Sequence, residues 1–261
     1  VPIRNIQSFV GCFYISNNMN FPIYIDNKIY SDHLIKVLGF SETNLVNVYP
    51  EEKVFFIYKD NGLHFVINSV QNKHIHLDFL KGQMGWRLKR ADHETLLKKA
   101  LGKKNDNLTI LDGTAGFLSD TLILLALGHK VIACEQSNVL FMLLSDAIYR
   151  AKDKLHFLKN LELIHGNAIE VYKKTKNIDL IYLDPMYPES NKNVLRSGNM
   201  NDIKNILKVE KIQNLEDKIF FDFKKHKFKK IILKRPIKSK IIDDNLNYQV
   251  KGKSTRFDVY I

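Results

Sequence analysis

The sequence contains few cysteines, which argues against a disulfide-stabilised fold. Only Cys12 and Cys134 occur among its 261 residues, and they lie far apart in unlike contexts. Cys134 belongs to an apolar run, where a cysteine usually behaves as a small apolar residue. Disulfide frameworks depend on several cysteines and an oxidising compartment. We therefore expect two reduced thiols.

Long apolar runs are also missing. A membrane-spanning helix needs about 18 or more consecutive apolar residues, and no run in the sequence approaches that length. The first residues also lack the pattern of a secretory signal peptide. We therefore expect a globular protein of the cytoplasm with no membrane partner.

The motifs of common metal and nucleophile sites do not occur. The sequence has no HExxH, no CxxC and no Ser/His/Asp signature. His74 and His76 would face the same side of a predicted strand, but no third ligand stands at zinc spacing. We expect no metal site, and we interpret these histidines as ordinary surface or packed residues.

Positive charge is in excess: 40 Lys and Arg residues against 28 Asp and Glu residues give a formal net charge of +12. Such an excess suits a polyanionic partner, because each neutralised phosphate releases counterions. Solvated lysine-rich faces would explain the charge equally well. Composition alone therefore leaves nucleic acid as one of two interpretations.

Residues 1–80 are predicted to form a small α/β annex. Apolar runs at 53–58 and 63–67 flank Asn61 and Gly62, and Asn-Gly between two such runs is a strong hairpin signal. A glycine-containing turn is predicted at 81–85. A helix is then expected to begin at Asp92 as its N-cap and to end at Gly102. We place the domain boundary near residue 80.

Residues 81–261 are predicted to form an α/β domain with a mostly parallel sheet and helices on both faces, because predicted strands and helices alternate from residue 108 onward. The helices include one over 118–127 and one capped by Ser137 that runs to about 155. The predicted strands, of which the last two form a closing pair, lie at 108–112, 130–135, 161–165, 178–184, 230–234, 248–250 and 256–261.

A glycine turn joins the first strand and helix of this domain. Asp112 ends the strand, and Gly113 and Gly116 follow it. Glycine lets the backbone approach a ligand, and a helix start offers N–H groups to it. The spacing departs from the G-x-G-x-x-G of dinucleotide sites, whose second glycine makes room for a pyrophosphate. S-adenosylmethionine, which has no pyrophosphate, fits better, with its cationic end near Asp112 and Asp120.

Polar residues follow the ends of four successive strands, namely Asp112, Glu135, Asn167 and Asp184. The carboxyl ends of parallel strands meet at one edge of a sheet, so we expect these residues to converge on one crevice. Glu135 is placed to accept the hydroxyls of an adenosine ribose. The alternative for Glu135 is an acid at the start of the next helix.

The run Asp-Pro-Met-Tyr-Pro at 184–188 is the sharper signal. Proline fixes the backbone where the strand ends, so the Asp184 carboxylate and the Pro185 carbonyl can be aimed at one point. Two acceptors match the two N–H groups of an exocyclic amine on a nucleobase, and they would orient its lone pair toward a methyl donor. Tyr187 can stack on the base. These three residues are the predicted catalytic set.

Basic runs late in the chain are the predicted RNA contacts. The run at 234–240 begins at a strand's carboxyl end and should therefore border the cleft. The basic segment at 86–90 precedes the glycine turn. The candidate phosphate-contacting residues are Lys234, Arg235, Lys238, Lys240, Arg87 and Arg90.

Several strings of residues together resemble the ribosomal RNA small subunit methyltransferase J family. The resemblance spans about residue 77 to 261, and its most specific part is Tyr-Leu-Asp-Pro-Met-Tyr-Pro. The strings are Leu-Asp-x-Thr-Ala-Gly at 111–116, Ala-Leu-Gly-x-x-Val at 126–131, Glu135, Leu-x-Leu-Ile-His at 161–165, Tyr-Leu-Asp-Pro-Met-Tyr-Pro at 182–188, Lys-Arg-Pro at 234–236 and Arg-Phe-Asp-x-Tyr at 256–260.

The resemblance implies a Rossmann-like class I methyltransferase that moves a methyl group from S-adenosylmethionine to the exocyclic N2 of a guanine in 16S rRNA, with 16S rRNA or the 30S subunit as partner. This sequence departs from the family pattern at Ser119 and Gln136, where the family usually has arginine, and at 167 and 168, where it usually has two serines. The family's carboxylates are present here as Asp120, Glu135 and Asp184. The family's cofactor positions fall on Ser119, Asp120, Glu135, Gln136, Asn167, Ala168 and Asp184.

Three alternatives remain open from the sequence. An Asp-Pro-x-Tyr motif also serves methylation of adenine N6, so the base is not fixed by the residues. An RNA-binding protein of the same fold without turnover would keep the basic runs. An NAD oxidoreductase is the most distant alternative, because the glycine spacing disfavours a dinucleotide. The residues leave the oligomeric state undefined.

Overall fold

The computed structural model describes residues 21–25, 31–36, 38–51, 54–68, 73–102, 107–186, 198–213 and 217–261. Cys12 and Tyr187 lie outside the described residues, and so does a run of aromatic and β-branched residues at 9–15 that belongs to the predicted annex. Two mixed sheets and the helices packed on them make up the described part of the chain.

The smaller sheet contains the predicted hairpin. Its strands are ordered β2-β1-β3-β4-β5, with β1 parallel to β2 and β3 and the other pairs antiparallel. Lys59 pairs with Gly62 across the turn, and Gly62 adopts φ +116°, a conformation that favours glycine. The Asn-Gly prediction is confirmed. The elements are β1 (Ile23–Ile25), α1 (Ser31–Lys36), β2 (Leu45–Val46), β3 (Phe55–Lys59), β4 (Gly62–Asn68) and β5 (Lys73–His76).

Two short helices connect the sheets, α2 (Gly82–Leu88) and α3 (Thr95–Leu101). The predicted turn at 81–85 is wrong, because α2 begins there. The prediction of Asp92 as an N-cap is also wrong, since Asp92 lies in a 3-10 turn and α3 begins two residues beyond that turn. The predicted end at Gly102 is confirmed, with φ +100° at that residue.

The larger sheet has the predicted mostly parallel arrangement. Its order is β11-β12-β10-β9-β6-β7-β8, and only the pairs that β12 makes with β10 and β11 are antiparallel. The strands are β6 (Thr109–Asp112), β7 (Lys130–Glu135), β8 (Leu161–His165), β9 (Leu180–Leu183), β10 (Ile231–Pro236), β11 (Tyr248–Lys251) and β12 (Thr255–Tyr260).

Helices cover both faces of this sheet. Successive side chains of a strand point to opposite faces, so Ile110 and Leu111 enter two different apolar cores. Helices α4 and α5 contribute to the first core and helices α6 and α8 to the second. The helices are α4 (Thr121–Ala126), α5 (Asn138–Ala151), α6 (Ala168–Lys174), α7 (Gly198–Val209) and α8 (Lys218–Lys224).

Helix α5 joins the two sheets. It contacts β4 on the smaller sheet as well as β7 and β8 on the larger one. The fully buried Asp146 of α5 accepts a hydrogen bond from the Leu63 amide at 3.0 Å and pairs with Arg150 Nε at 2.8 Å. A Cβ on Gly62 would lie 2.3 Å from Arg150 Nε and 2.6 Å from Asp146 Oδ2. The hairpin therefore needs glycine for its docking as well as for its turn.

Within the described ranges, no helix combines the length and the apolar character needed to cross a membrane.

Candidate cofactor and methyl-transfer site

A cavity of 820 Å³ opens at the carboxyl ends of the parallel strands. The chain runs from β6 to β7 and β8 on one side and to β9 and β10 on the other, so the order reverses between β6 and β9. Ligands of open α/β sheets bind at such a reversal. The predicted catalytic and cofactor residues that line this cavity are Asp112, Gly113, Gly116, Ser119, Asp120, Glu135, Gln136, Asn167, Ala168, Asp184 and Pro185, and three of the predicted RNA-contacting residues, Arg87, Lys234 and Arg235, line it as well. Tyr187 is the predicted catalytic residue outside the described ranges.

The turn after β6 is held by Asp112. Its carboxylate accepts from the Thr114 amide at 3.0 Å and from Thr121 Oγ1 at 2.5 Å. Burial raises the pKa of Asp112 to about 6. Gly116 and Leu118 both have positive φ, +51° and +57°, so the backbone cannot continue a right-handed helix through them. Helix α4 therefore begins at Thr121, and the predicted start at 118 is wrong.

Glu135 ends β7 and faces the same cavity. It is buried, and it accepts from the Ser137 amide at 2.8 Å. Burial raises the pKa of Glu135 to about 8, and the nearby Glu210 carboxylate adds to that rise. Ser137 caps α5 by accepting from the Leu140 amide at 3.0 Å, so the predicted cap is confirmed.

Helix α7 closes one side of the cavity, a feature the sequence did not suggest. Met200, Ile203 and Leu207 of α7 line the cavity. Glu210, just after the helix, accepts from Ser137 Oγ and from the Val139 amide at 3.2 Å. Because this carboxylate is 73 residues from Ser137 in the chain, no local motif announces the contact.

A set of alternating charges surrounds Asp184. Lys234 Nζ lies 2.7 Å from Asp184 Oδ2 and 2.7 Å from Asp120 Oδ2. Asp120 also accepts from Arg87 Nη2 at 2.7 Å and from the Tyr182 hydroxyl at 2.5 Å. We call Arg87, Asp120, Lys234 and Asp184 the ion-pair chain. It links α2, the segment before α4, β10 and the end of β9.

The two carboxylates of the ion-pair chain differ in acidity. Burial raises the pKa of Asp184, and Lys234 opposes that rise. Burial also disfavours the charged form of Asp120, but the Lys234 and Arg87 cations outweigh it and hold the pKa of Asp120 below its ordinary value. The ionised form is therefore favoured at Asp120, whereas at Asp184 burial outweighs the effect of Lys234 and the pKa stays above its ordinary value.

Three predicted phosphate-contacting residues are engaged with carboxylates. Lys234 and Arg87 belong to the ion-pair chain, and Arg87 Nε also pairs with Glu94 at 2.6 Å. Arg235 is buried and donates from Nη1 to Asp217 at 2.5 Å. The sequence located Lys234 correctly at the cleft, but its carboxylate partners are 114 and 50 residues away.

The other three predicted RNA residues are exposed. The Arg90 guanidinium lies 4.9 Å from the centre of the Trp86 ring. Lys238 and Lys240 stand on the loop after β10. Arg256 shapes that loop by donating to the carbonyls of residues 236, 237, 239 and 240, and it is held in turn by Asp258 at 2.8 Å. The two lysines are thus presented on an ordered loop.

The described residues contain no group of three or more His, Cys, Asp or Glu side chains arranged to hold a metal ion. His74 and His76, interpreted from the sequence as ordinary surface or packed residues, lie on β5 of the smaller sheet. His76 Nε2 donates to the Asn61 carbonyl at 2.9 Å, and His74 Nδ1 lies 3.4 Å from Lys59 Nζ.

Comparison with known proteins defines the class. Residues 40–261 match the family of SAM-dependent methyltransferases, and the chain belongs to that family. A solved SAM-dependent methyltransferase from Neisseria gonorrhoeae aligns with a TM-score of 0.60 and 23% identity, covering 93% of this chain and 96% of that one. At this identity the alignment shows a shared fold. The predicted Rossmann-like methyltransferase fold is confirmed.

The particular family follows from closer relatives. Ribosomal RNA small subunit methyltransferase J of Francisella philomiragia is 34% identical over 217 residues, covering 78% of this chain and 87% of the relative. The protein of the same name from Francisella tularensis subsp. novicida is 30% identical over 249 residues, covering 91% and 98%. The chain belongs to the ribosomal RNA small subunit methyltransferase J family, as the sequence strings indicated.

S-adenosylmethionine is the cofactor of this class, and the predicted cofactor is confirmed. The residues of the cavity fit such a group. Buried carboxylates at the ends of β6 and β7 suit an amino group and ribose hydroxyls, and the apolar side chains of Ile203 and Leu207 suit an adenine ring.

Proposed function

We propose that the protein methylates the exocyclic N2 amine of a guanine in ribosomal RNA of the small subunit. The observation that carries this proposal is the meeting of Asp184 and Pro185 with Glu135 in one cavity. Family membership supports the rRNA substrate, since the relatives are named for small-subunit rRNA. A protein acting on ribosomal subunits would be located in the cytoplasm.

The end of the cavity at β7 would hold the nucleoside part of S-adenosylmethionine. Glu135 accepts hydrogen bonds from the ribose hydroxyls, and the adenine is bordered by Gln136, Asn167 and Ala168. The amino-acid end is held near Asp112 and the segment at Ser119 and Asp120. When bound, the cofactor supplies an electrophilic methyl group.

The end of the cavity at β9 would hold the target amine. The Asp184 carboxylate and the Pro185 carbonyl each accept one N–H, which turns the nitrogen lone pair toward the methyl donor. Lys234 contacts one oxygen of Asp184, Oδ2, so the other oxygen is available to the amine. The methylated nitrogen then loses one proton to Asp184 or to water. This loss removes the positive charge that the nitrogen gained with the methyl group, so no strong base is needed.

The base must leave its helix or lie in a loop to reach this amine site. Tyr187 is proposed to stack on it.

Methyl transfer to naked 16S rRNA and to 30S particles, with labelled cofactor, tests the proposed function. Nucleoside mass spectrometry should detect N2-methylguanosine, and mapping should place the label at one position. Detection of N6-methyladenosine instead would mean that the target base is adenine and not guanine. RNA binding without any transfer would point to a non-catalytic protein.

Asp184→Ala tests the role of the carboxylate. We expect kcat to fall by at least ~100-fold, because an acceptor acting in the transition state is lost, while the Kd for the cofactor changes little. The matched control is Asp179→Ala, at the opposite end of the same strand, where the carboxylate pairs with Lys229 at 2.8 Å. Equal rates in Asp184→Ala and the parent protein would remove Asp184 from the mechanism.

A further inference from the structure

Helix α2 carries the chain's single tryptophan on the surface beside the cavity. Trp86 is 61% exposed, although a large aromatic ring normally gains from burial. Gln83, Met84 and Arg87 of the same helix line the cavity. Residues three apart on a helix are neighbours, so Trp86 continues the side of α2 that begins with Gln83 at the rim.

The surroundings of Trp86 are basic. The Arg90 guanidinium covers the ring at 4.9 Å from its centroid, and Lys89 is exposed next to it. An indole ring has two faces, and a single guanidinium occupies one of them. Aromatic faces interleaved with Arg and Lys bind single-stranded nucleic acid, because bases stack on the rings while the cations contact phosphates.

Helix α2 is also fixed relative to the site. Arg87, adjacent to Trp86, enters the ion-pair chain that ends at Asp184. A Cβ on Gly85 would lie 2.4 Å from the Leu80 carbonyl oxygen, so α2 packs directly on the preceding backbone. The distance between the exposed ring and the reacting carboxylate is therefore set by packing and ion pairs, which reduces the entropy lost when a ligand spans both.

We propose that Trp86, with Arg90 and Lys89, forms a stacking platform for an unpaired nucleotide of the RNA strand that flanks the target base. The inference rests on the proposed rRNA substrate and adds the surface that holds the strand outside the cavity. The partner is single-stranded RNA, which the exposed ring and the positive charge match. Trp86 positions the substrate and takes no part in methyl transfer.

Because Trp86 is the one tryptophan of the sequence, its fluorescence reports directly on this platform. A single-stranded oligoribonucleotide of roughly ten nucleotides, titrated into the 261-residue chain, should quench the emission. Trp86→Ala has no tryptophan, so its affinity is measured by the anisotropy of a dye-labelled oligonucleotide, and it should bind roughly 5- to 150-fold more weakly than the parent protein in the same assay. An unchanged emission spectrum together with unchanged affinity in Trp86→Ala would overturn the platform.

Kinetics with 16S rRNA provide the second readout. Trp86→Ala should raise the KM for RNA while kcat and the Kd for the cofactor stay near parent values, and Trp86→Phe should restore most of the loss because phenylalanine still stacks. Tyr49→Ala, which removes a ring that is 47% exposed in the segment after β2, is the control and should behave as the parent. A parent KM in Trp86→Ala would overturn the proposal.

The failure of each proposal is distinguishable. A parent protein that transfers no methyl group to 16S rRNA or 30S particles would remove the proposed function, whereas oligonucleotide quenching would still support the platform. Trp86→Ala could instead be defective with 30S particles but not with naked rRNA, while the oligonucleotide leaves the parent emission unquenched. That result would mean that Trp86 contacts a ribosomal protein, and it would overturn the RNA platform.

Discussion

The Lys234 ammonium group is shared by two carboxylates, and its contact with Asp184 lowers the pKa of that carboxyl against the effect of burial. Nearby opposite charge favours the ionised form of a carboxyl, and nearby like charge disfavours it. Without Lys234, Asp184 would face Asp120 with burial and repulsion both raising its pKa. The lysine is therefore a positioning residue that favours the ionised form of the proposed acceptor.

Lys234→Met should shift the acid limb of the kcat–pH profile upward by about 1–3 pH units. The sign follows from the ionised carboxylate being the acceptor: raising the pKa of Asp184 extends the protonated, inactive form to higher pH. Lys234→Arg keeps a cation at the position and should leave the limb near its parent value. A Lys234→Met profile with its acid limb unmoved would show that the lysine does not control Asp184.

Glu135 should make the protein less stable as pH rises. Burial raises its pKa from 4.5 to about 8 in the folded state, so the folded state holds this proton more tightly than the unfolded state does. Stability from this group is then lost between about pH 4.5 and pH 8. Glu135→Gln cannot ionise, and its Tm relative to the parent protein should increase between pH 5 and pH 9.

The same variant should bind S-adenosylmethionine more weakly above about pH 8, where the parent carboxyl is ionised and would offer the ribose hydroxyls a charge-assisted acceptor that an amide does not. Scanning fluorimetry across pH and a calorimetric titration measure the two effects. Glu170→Gln, at an exposed residue of α6, is the control. Parallel Tm–pH curves for Glu135→Gln and the parent protein would contradict the expected effect of burial.

Single residues differ in how much of their role the sequence reveals. Asp112, Glu135 and Asp184 were found because each follows a predicted parallel strand, and strand ends converge by geometry. Two contacts around them were not found, since Lys234 reaches Asp184 and Glu210 reaches Ser137 across 50 or more residues of chain. An ion pair between distant segments leaves no periodic or local pattern in a sequence.

At the scale of elements, the N-terminus of α5 connects the cofactor cavity with α7. Ser137 Oγ accepts from the Leu140 amide and donates to Glu210, so one hydroxyl serves as helix cap and as attachment for the segment after α7. Loss of this hydroxyl affects both contacts.

Ser137→Ala should lower the free energy of unfolding by about 1 kcal/mol, the usual cost of a lost N-cap. Urea denaturation of the two proteins measures the difference. Ser145→Ala lies on the same helix, where the hydroxyl donates to the Phe141 carbonyl at 2.8 Å, and alanine there is a good helix former. A loss in Ser145→Ala as large as that in Ser137→Ala would argue against a capping effect.

Long or strongly patterned elements were predicted better than short ones. The hairpin and the capped α5 follow from strong local signals, Asn-Gly and a serine before an apolar helix. Helix α2 has glycine at two of its seven positions, and that composition indicated a turn. Tertiary packing of Gly85 on Leu80 and the ion pairs of Arg87 stabilise it, and neither can be inferred from local propensity.

At the scale of the whole molecule, the net charge of +12 predicts a strong salt dependence of RNA binding. The slope of log K against log salt is about −0.7 for each phosphate contacted on a single strand. The KM for rRNA should therefore rise steeply from low to physiological salt, while the Kd for the cofactor should change little, because its proposed contacts Asp112, Asp120 and Glu135 are buried. Equal salt dependence of both constants would show that RNA binding does not rest on phosphate contacts.

The alternation of strands and helices predicted the larger sheet, its parallel pairs and its closing antiparallel strands. It did not predict that one apolar core continues from the smaller sheet into the larger one. The domain boundary near residue 80 stays a prediction. A change in composition along the chain carries no information about which faces of the two sheets pack together.

The docking of Gly62 against α5 limits how this enzyme could be trimmed. Excising the smaller sheet would strip the Leu63 amide from Asp146 and expose the apolar side of the helix whose first turn holds Ser137. A minimal catalytic fragment would thus need a redesigned α5 surface, with Asp146 and Arg150 replaced by residues that tolerate water.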